Sequence, residues 1–328
     1  MTLEEVERLH PRFAGAAAFY RKELEPFLVE QEALRSAAYK QLVRYSLILL
    51  PLAAATIAAI WFAGGFDAGW IGWVMAGLTV VVTLGTLAWL TSKVTAVTSR
   101  VKQEMLARIS TFLDFTYNAE PTQARLDWFR DTRIVPSYDR SSLEDELLGE
   151  CDGISFALSE AHLEDRRTRR DSNGRTETYY VTVFRGLLAR FTFAKPFAGR
   201  TILVRDGGML GNLFSRFGKS GERVRLEDPR FEKSFEVFSS DQVEARYLLT
   251  PRFMERVMEL EALLDGKRQL AFDADHLLLS VNGGKDRFEG GGLSARLDDP
   301  AAIARLFEEI GIVFGIITAL NLATATRA

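Results

Sequence analysis

Two stretches without a formal charge interrupt the mixture of hydrophobic and polar positions along the chain: Tyr45–Ala63, with 19 residues, and Ile71–Leu90, with 20 residues. As helices, each would reach roughly 28–30 Å, the thickness of the hydrocarbon core of a bilayer. Lipid offers backbone N–H and C=O groups no partner, so a chain that crosses it must be helical. Buried helices of soluble proteins usually keep a polar stripe, which both stretches lack. The pattern therefore predicts a transmembrane helical hairpin.

The residues that flank the hairpin predict its orientation. Arg44 precedes the first stretch, and Lys93 and Arg100 follow the second, whereas the connection Gly64–Trp70 contains one acid and no base. Positively charged residues are retained on the cytoplasmic side of membrane proteins. We therefore expect both termini inside the cell and the seven-residue turn outside.

Helical flanks are predicted on the cytoplasmic side of both spans. Apolar residues recur there at steps of three and four, which is typical of one helix face. After the second span they are Val94, Val97, Val101, Met105, Ile109 and Phe112, and before the first span they are Phe27, Leu34, Ala38 and Leu42. We expect the two stripes to pack antiparallel as a short stalk, although an oligomer interface would use the same residues.

The rest of the chain alternates between strand-like and helical patterns. Strands are predicted at Gly153–Leu163, Thr176–Phe184, Leu187–Ala194, Thr201–Asp206, Arg223–Leu226, Ser234–Phe238, Gln269–Asp273 and His276–Val281. Helices are predicted at Gln123–Arg130, Ser142–Leu148, Thr250–Leu264 and Asp299–Leu320. Asn173-Gly174 is a strong hairpin signal. Strand runs closed by helices indicate an α+β domain with a mainly antiparallel sheet.

These patterns divide the chain into four parts. Residues 1–44 form N-terminal juxtamembrane helices, 45–90 the transmembrane hairpin, 91–118 a second juxtamembrane helix and 119–328 the cytoplasmic α+β domain. The last helix is apolar all round from Gly311 to Leu320, which is too short to span a membrane and is typical of a core helix. A docking helix for another subunit is the alternative.

Composition and charge exclude several classes of function. The net charge of −3 and a pI near 5.8 give no global basic field that would hold nucleic acid. A single cysteine, Cys151, excludes an intramolecular disulfide and a cysteine-rich zinc module. We expect no nucleic-acid partner.

Candidate catalytic and binding motifs are weak. Phe217-Gly218-Lys219-Ser220 resembles the end of a phosphate-binding loop, but Leu213 stands where that loop needs its first glycine. Asp273, Asp275 and His276 could ligate a metal, yet Ala274-Asp275 is typical of a turn, whose carboxylates usually bond local backbone. No nucleophile elbow or zinc-protease pair appears. We expect no catalytic residue, cofactor or metal, while catalysis by residues distant in sequence stays open.

Two segments are candidate contact sites. Residues 207–222 place an apolar face beside two basic residues, a pattern that suits anionic lipid or a protein partner, but folding of this loop over the sheet is the alternative. The candidate contact residues are Leu210, Leu213, Phe214, Arg216, Phe217 and Lys219. The second segment, Arg166–Arg170, is a basic cluster at the tip of the predicted hairpin, within the predicted turn Arg166–Arg175. It is either a solvated turn or a salt-sensitive contact with an acidic surface.

Two segments resemble a known family. Phe184–Asp206 (FRGLLARFTFAKPFAGRTILVRD) and Phe231–Val257 (FEKSFEVFSSDQVEARYLLTPRFMERV) are similar to the signature segments of the bacterial family DUF3137, a domain of unknown function. The resemblance covers roughly Leu113–Leu322. It implies a bacterial inner-membrane protein with one or two spans and a cytosolic domain, and it supplies no activity and no catalytic residues.

The leading hypothesis is a membrane-anchored, non-enzymatic interaction or scaffold module. Its cytoplasmic domain would be presented to a protein partner or a lipid surface, and a homo-oligomer is a further expectation. The alternative is a membrane-anchored enzyme or small-ligand sensor with a pocket in the α+β domain.

Overall fold

The computed structural model describes residues 2–64, 70–170, 175–192, 196–205, 221–263, 266–284 and 296–320. The chain forms two compact units. The first contains Met1–Glu7, Ala14–Leu106 and Glu289–Arg305, and the second contains Arg8–Phe13, Ala107–Phe288 and Leu306–Ala328. The boundaries expected from the sequence at residues 44, 90 and 118 stay predictions.

The first unit is helical in its described residues. Its helices are α1 (Leu3–Val6), α2 (Ala16–Phe19), α3 (Glu25–Phe62) and α4 (Trp70–Phe112), the end of α4 belonging to the second unit. A π-helical turn, Tyr20–Leu24, connects α2 to α3. Thr2 begins α1 with a capping box, in which its side chain accepts from the Glu5 N–H and the Glu5 carboxylate accepts from the Thr2 N–H.

Helices α3 and α4 are long and apolar enough to cross a membrane. In its most apolar stretch of 18 residues, α3 is 0% buried and α4 is 11% buried. Leu47 on α3 is 71% exposed, and Leu78 on α4 is 56% exposed. A core helix of a soluble protein buries such side chains, whereas these two helices present them outward. The predicted pair of long apolar helices is confirmed.

Four of the six stripe residues of α4 are buried, Val97 and Phe112 are half-buried, and the stripe of α3 differs. Leu34 is 54% exposed, while Arg35 is 5% exposed. The Arg35 guanidinium makes two hydrogen bonds to the Glu32 carboxylate, at 2.8 and 2.7 Å, and the same carboxylate accepts the Leu297 N–H at 3.0 Å. The inward side of α3 at this level is therefore polar, and the prediction for Leu34 was wrong.

The second unit is built on an antiparallel sheet of nine strands in the described residues. They are β1 (Thr116–Asn118), β2 (Arg140–Cys151), β3 (Ile154–Arg170), β4 (Thr176–Thr192), β5 (Thr201–Arg205), β6 (Glu222–Val224), β7 (Phe235–Ser239), β8 (Lys267–Asp273) and β9 (His276–Asn282). Their order is β1-β2-β3-β4-β9-β8-β5-β7-β6. The mainly antiparallel α+β fold predicted from the sequence is confirmed.

Helices pack on this sheet and complete the core. They are α5 (Asp127–Asp131), α6 (Pro229–Ser234), α7 (Gln242–Leu248), α8 (Pro251–Leu263) and α9 (Pro300–Leu320). One sheet face forms a cluster with Leu126, Phe129 and Ile134, which lie in and around α5. On the other face, Phe253 of α8 meets Phe272, and Phe314 of α9 meets Phe115, which packs on Phe156. The core role predicted for the last helix is confirmed, since Phe307, Ile310 and Phe314 are buried.

Three predicted elements differ from the structure. Ser142–Leu148, predicted as a helix, lies within strand β2, and the separate strands predicted at Thr176–Phe184 and Leu187–Ala194 are one strand, β4. Helix α7 was not predicted; Asp241 caps it by accepting the N–H groups of Val243 and Glu244.

Candidate functional site

The longest strands of the sheet project beyond their neighbours. Pairing of β2 with β3 ends at Arg140–Glu164, and pairing of β4 with β9 ends at Gly186–Asn282. The ladder between β3 and β4 continues to Arg170–Thr176. We call residues 165–170 and 176–181 the arm. In the part of the chain that the structure describes, no strand pairs with its outer edges, so the arm is a two-stranded ribbon.

The two faces of the arm carry different charge. Directly paired residues of an antiparallel ladder share a face, and residues alternate between faces along each strand. One face, here called the arginine face, contains Arg166, Thr168, Arg170, Thr176, Thr178 and Tyr180; the other, the mixed face, contains Asp165, Arg167, Arg169, Glu177, Tyr179 and Val181. Two arginines and two acids cancel on the mixed face, whereas the arginine face has no acid in these rows.

Ion pairs on the mixed face agree with this division. The Nε atom of Arg167 lies 3.5 Å from the Asp165 carboxylate, and Arg169 stands opposite Glu177 in the ladder. Pairs of this kind on an exposed surface contribute little stability, about 0–1 kcal/mol. Their consequence here is electrostatic. The charges of the mixed face cancel, so the positive potential of the arm lies on the arginine face.

The base of the arginine face is held by β2 and the segment before it. The Arg140 guanidinium lies 3.4 Å from the centroid of the Tyr180 ring, and the Asp139 carboxylate accepts the backbone N–H of Arg166 at 2.8 Å. Arg140 pairs with Glu164, which alternation places on the same side of the sheet as Arg166. The base of the arginine face therefore contains Arg140 together with an acid, Glu164.

The sequence predicted part of this site. The four arginines of Arg166–Arg170 are exposed, but these residues were predicted in a turn and instead form the end of strand β3, paired with β4. The predicted turn, Asn173-Gly174, lies outside the described residues. So do all six candidate contact residues of the other segment, Leu210, Leu213, Phe214, Arg216, Phe217 and Lys219, and their proposed role stays a prediction.

The residues weighed as metal ligands near the β8–β9 turn have other partners. The Asp273 carboxylate pairs with Arg200 at 2.7 Å, and Nδ1 of His276 lies 3.3 Å from the Asp275 carboxylate. Burial lowers the pKa of His276. Ala274 has a φ of 52°, as a tight turn requires. The geometry supports an ion pair for Asp273 with Arg200 and a turn role for Asp275.

A group of possible metal ligands that the sequence did not indicate is formed by His10, Cys151 and Asp152, whose ligand atoms lie within 4.8 Å of one another. Nδ1 of His10 accepts the Arg12 N–H at 3.3 Å, which leaves the proton of the neutral ring on Nε2. Burial raises the pKa of the Cys151 thiol to about 11. Both features oppose metal binding, which needs a thiolate and a bare ring nitrogen, so we assign no metal here.

Comparison with known proteins places the second half of the chain in a family. Residues 182–322 match the family model described as "Protein of unknown function (DUF3137)". This part of the chain belongs to the DUF3137 family. The DUF3137 match begins at the base of the arm on β4 and ends beyond α9, so the tip of the arm, α3 and α4 lie outside it. The family description assigns no activity.

Other comparisons add little to the DUF3137 match. No curated protein matches the chain. The crystal structure of the mycobacterial trehalose monomycolate transport factor A, TtfA, is similar over 67% of this chain and 97% of its own, with 10% sequence identity and a TM-score of 0.33. A similarity of this size does not establish a shared function.

Proposed function

We propose that this protein is a membrane-anchored interaction module whose arginine face binds an acidic segment of a partner protein. The observation that carries the proposal is the asymmetry of the arm, since the described rows of one face contain arginines and no acid, whereas the other face has two arginines and two acids. A solvated ribbon without a partner would not require its charged residues to be divided between the two faces in this way.

The anchor of this module is the α3–α4 pair. Their exposed apolar surface supports insertion into lipid, and the basic flanks support an inner-membrane protein with both termini in the cytoplasm. Fusions of a cytoplasm-active and a periplasm-active reporter to the C-terminus of the full chain test the orientation. Activity of the periplasmic reporter would contradict it.

The geometry of the arm favours an extended protein segment over a lipid headgroup. Its outer edges offer rows of backbone N–H and C=O groups, to which an added strand can hydrogen-bond. Arg166, Thr168 and Arg170 recur at every second residue, the spacing at which acidic side chains of an added strand would point to the same side. A lipid headgroup would contact the arginines but would make no hydrogen bonds along the backbone of the strand edges.

Photocrosslinking of the full chain in native membranes tests the proposal. p-Benzoylphenylalanine placed at Thr178, on the arginine face, should crosslink to a defined protein, and the yield should fall several-fold between about 0.05 and 0.3 M salt, where the Debye length shortens. The double variant Arg166→Glu, Arg170→Glu should abolish the crosslink.

The mixed face supplies the matched control. Arg167→Glu with Arg169→Glu makes the same change in charge on the opposite face and should keep the crosslink. Equal loss in both double variants would overturn recognition by the arginine face. Crosslinks that form only to lipid would replace the protein partner with the membrane surface.

A small-ligand sensor is the second candidate function. It is favoured by a half-buried arginine elsewhere on the sheet, Arg190, whose surroundings resemble a ligand site more than a structural ion pair.

A further inference from the structure

Arg190 lies on β4, a central strand of the sheet, two residues before that strand ends at Thr192. It is paired with Ala157 of β3 and with Leu278 of β9, which belongs to the core cluster that contains Phe129. Its neighbour two residues back, Leu188, is fully part of that core. A guanidinium carried into the sheet at this position loses part of its water, and burial accordingly lowers the pKa of Arg190. Such a charge needs compensation.

The ring of Trp128 provides only part of that compensation. Its centroid lies 4.1 Å from the central carbon of the guanidinium, and the same indole lies 5.3 Å from the His276 ring. An aromatic face stabilises the flat side of a guanidinium and does not occupy the N–H groups along its edge. The contact with Trp128 therefore does not satisfy the N–H groups of Arg190.

The acids whose charges reach Arg190 have other partners. Glu146, which is 1% exposed, lies 3.2 Å from Nε of Arg125, and Asp275 lies 3.3 Å from His276. Within the described residues, the structure shows no ion pair or hydrogen bond made by the Arg190 side chain. A structural arginine at such a position is normally paired with a carboxylate.

Polar residues lie next to Arg190 on the same face of the sheet. The next row on this face contains Ser155, Thr192 and His276, which the ladder places side by side. Burial lowers the pKa of His276, and a neutral imidazole has one N–H. Since Nδ1 lies 3.3 Å from the Asp275 carboxylate, the ring can donate to a ligand only from Nε2. Hydroxyl, imidazole and guanidinium donors on one side of an indole are the groups that bind an oxyanion.

We infer that Arg190, stacked on Trp128 and flanked by Thr192 and His276, binds the carboxylate or phosphate group of a small ligand. Arg190 would hold two oxygens of that group through its fork, and the hydroxyl and imidazole would orient it. The site lies on the body of the sheet and does not depend on the arm or on its partner.

Trp128 provides a specific signal for the test, since the other four tryptophans lie in α3 and α4. The full chain is labelled with 5-fluorotryptophan in detergent, and the Trp128 resonance is assigned by its loss in Trp128→Phe. Inorganic phosphate and, separately, succinate are titrated at constant ionic strength. We expect one of them to shift that resonance saturably and to leave the other four unchanged.

Variants separate recognition from a general salt effect. Arg190→Gln should abolish the saturable shift, and Arg190→Lys, which keeps the charge and loses the fork, should weaken apparent affinity at least tenfold. Arg167→Gln, on the arm, should not change it. If Arg190→Gln does not fold, the Lys variant decides alone. The inference fails if neither anion shifts the Trp128 resonance saturably, or if the Lys variant binds as tightly as the natural chain.

Discussion

The guanidinium of Arg140 lies 3.4 Å from the ring centroid of Tyr180, and this contact joins the first residue of β2 to the arm. Above this row the arm has no neighbouring strand in the described residues. A cation–π contact at an exposed site contributes about 0.5–1 kcal/mol, which is comparable to the free energy of opening a ribbon end. The contact therefore stabilises the base of the arm.

Removing the ring should loosen the arm. Tyr180→Ala should speed amide hydrogen exchange in residues 165–170 and 176–181 by about twofold to fivefold, as a loss of about 0.5–1 kcal/mol implies. Hydrogen exchange with mass spectrometry measures this. Tyr179→Ala, on the mixed face, removes a similar ring without the Arg140 contact and should change exchange less. Equal effects of the two substitutions would contradict the role of the contact.

The strand β2 shows why one sequence prediction failed. Ser142–Leu148 was predicted as a helix because Ser142 is a possible N-cap and Gly149 a possible stop. In the structure Leu143 pairs with Ala161 and Leu147 pairs with Leu158, so the two leucines lie on opposite faces of a sheet that is buried on both sides. A β-bulge between Glu144 and Leu147, with Asp145 at a φ of 53°, breaks the strand alternation.

A local signal for the correct element was present nearby. Asp152-Gly153 connects β2 to β3, with φ values of 53° and 78°, and Asp-Gly is a preferred pair for such two-residue turns. It predicts a strand before it as well as after it. By contrast, the approach of His10 to Cys151 and of Trp128 to Arg190 depends on long-range folding, for which a single sequence has no local pattern.

The two apolar helices and the β-hairpin of β3 and β4 were predictable because each depends on a short-range pattern. A helix of 19 or 20 uncharged residues is long enough to cross the hydrocarbon core of a bilayer, and this can be seen without knowing the rest of the chain. The division of charge between two faces of the arm needs the register Arg166–Tyr180, and a shift by one residue would exchange the faces. The basic cluster was therefore found from the sequence, whereas its asymmetry was not.

Arg125 should matter for stability because of the acid that it accompanies. Glu146 is 1% exposed and lies 3.2 Å from Nε of Arg125, whose own side chain is 34% exposed. Arg125→Ala leaves a buried carboxylate without its cation and should cost about 2–3 kcal/mol, less than the 3–5 kcal/mol of a fully buried pair. The melting temperature of the purified chain and hydrogen exchange of β2 measure the loss.

The double variant Arg125→Ala, Glu146→Gln distinguishes this explanation from lost packing. Removing the carboxylate charge together with the guanidinium should recover more than half of the stability. A double variant as unstable as Arg125→Ala alone would show that the contacts of the Arg125 stem, rather than its charge, are responsible.

The single thiol should be nearly inert in the folded chain. Cys151 is 1% exposed, and burial, together with Asp152, raises its pKa from 9.0 to about 11. At pH 8 this lowers the thiolate fraction roughly 100-fold, and the thiolate is the reactive form. Alkylation by iodoacetamide should therefore be at least about 100-fold slower in the folded than in the urea-unfolded chain.

The same shift predicts the sign of a pH effect. The folded state keeps the Cys151 proton up to a higher pH than the unfolded state does, so its contribution to stability is complete below pH 9 and is lost between about pH 9 and 11. Cys151→Ala should flatten the fall in stability over that window. Rapid alkylation of the folded chain at pH 8 would contradict both expectations.

Insertion of α4 into lipid is tested by placing a charge in its middle. Leu78 is 56% exposed on an uncharged stretch, and Leu78→Arg should disfavour translocon insertion by about 2.5–3.5 kcal/mol. A glycosylation-mapping assay of the full chain measures that equilibrium. Val243→Arg, at a residue that is 78% exposed on α7 of the second unit, is the matched control and should leave insertion unchanged. If Leu78→Arg inserts as well as the natural chain, or if the natural chain remains soluble without detergent, the exposed apolar face of α4 contacts protein instead of lipid.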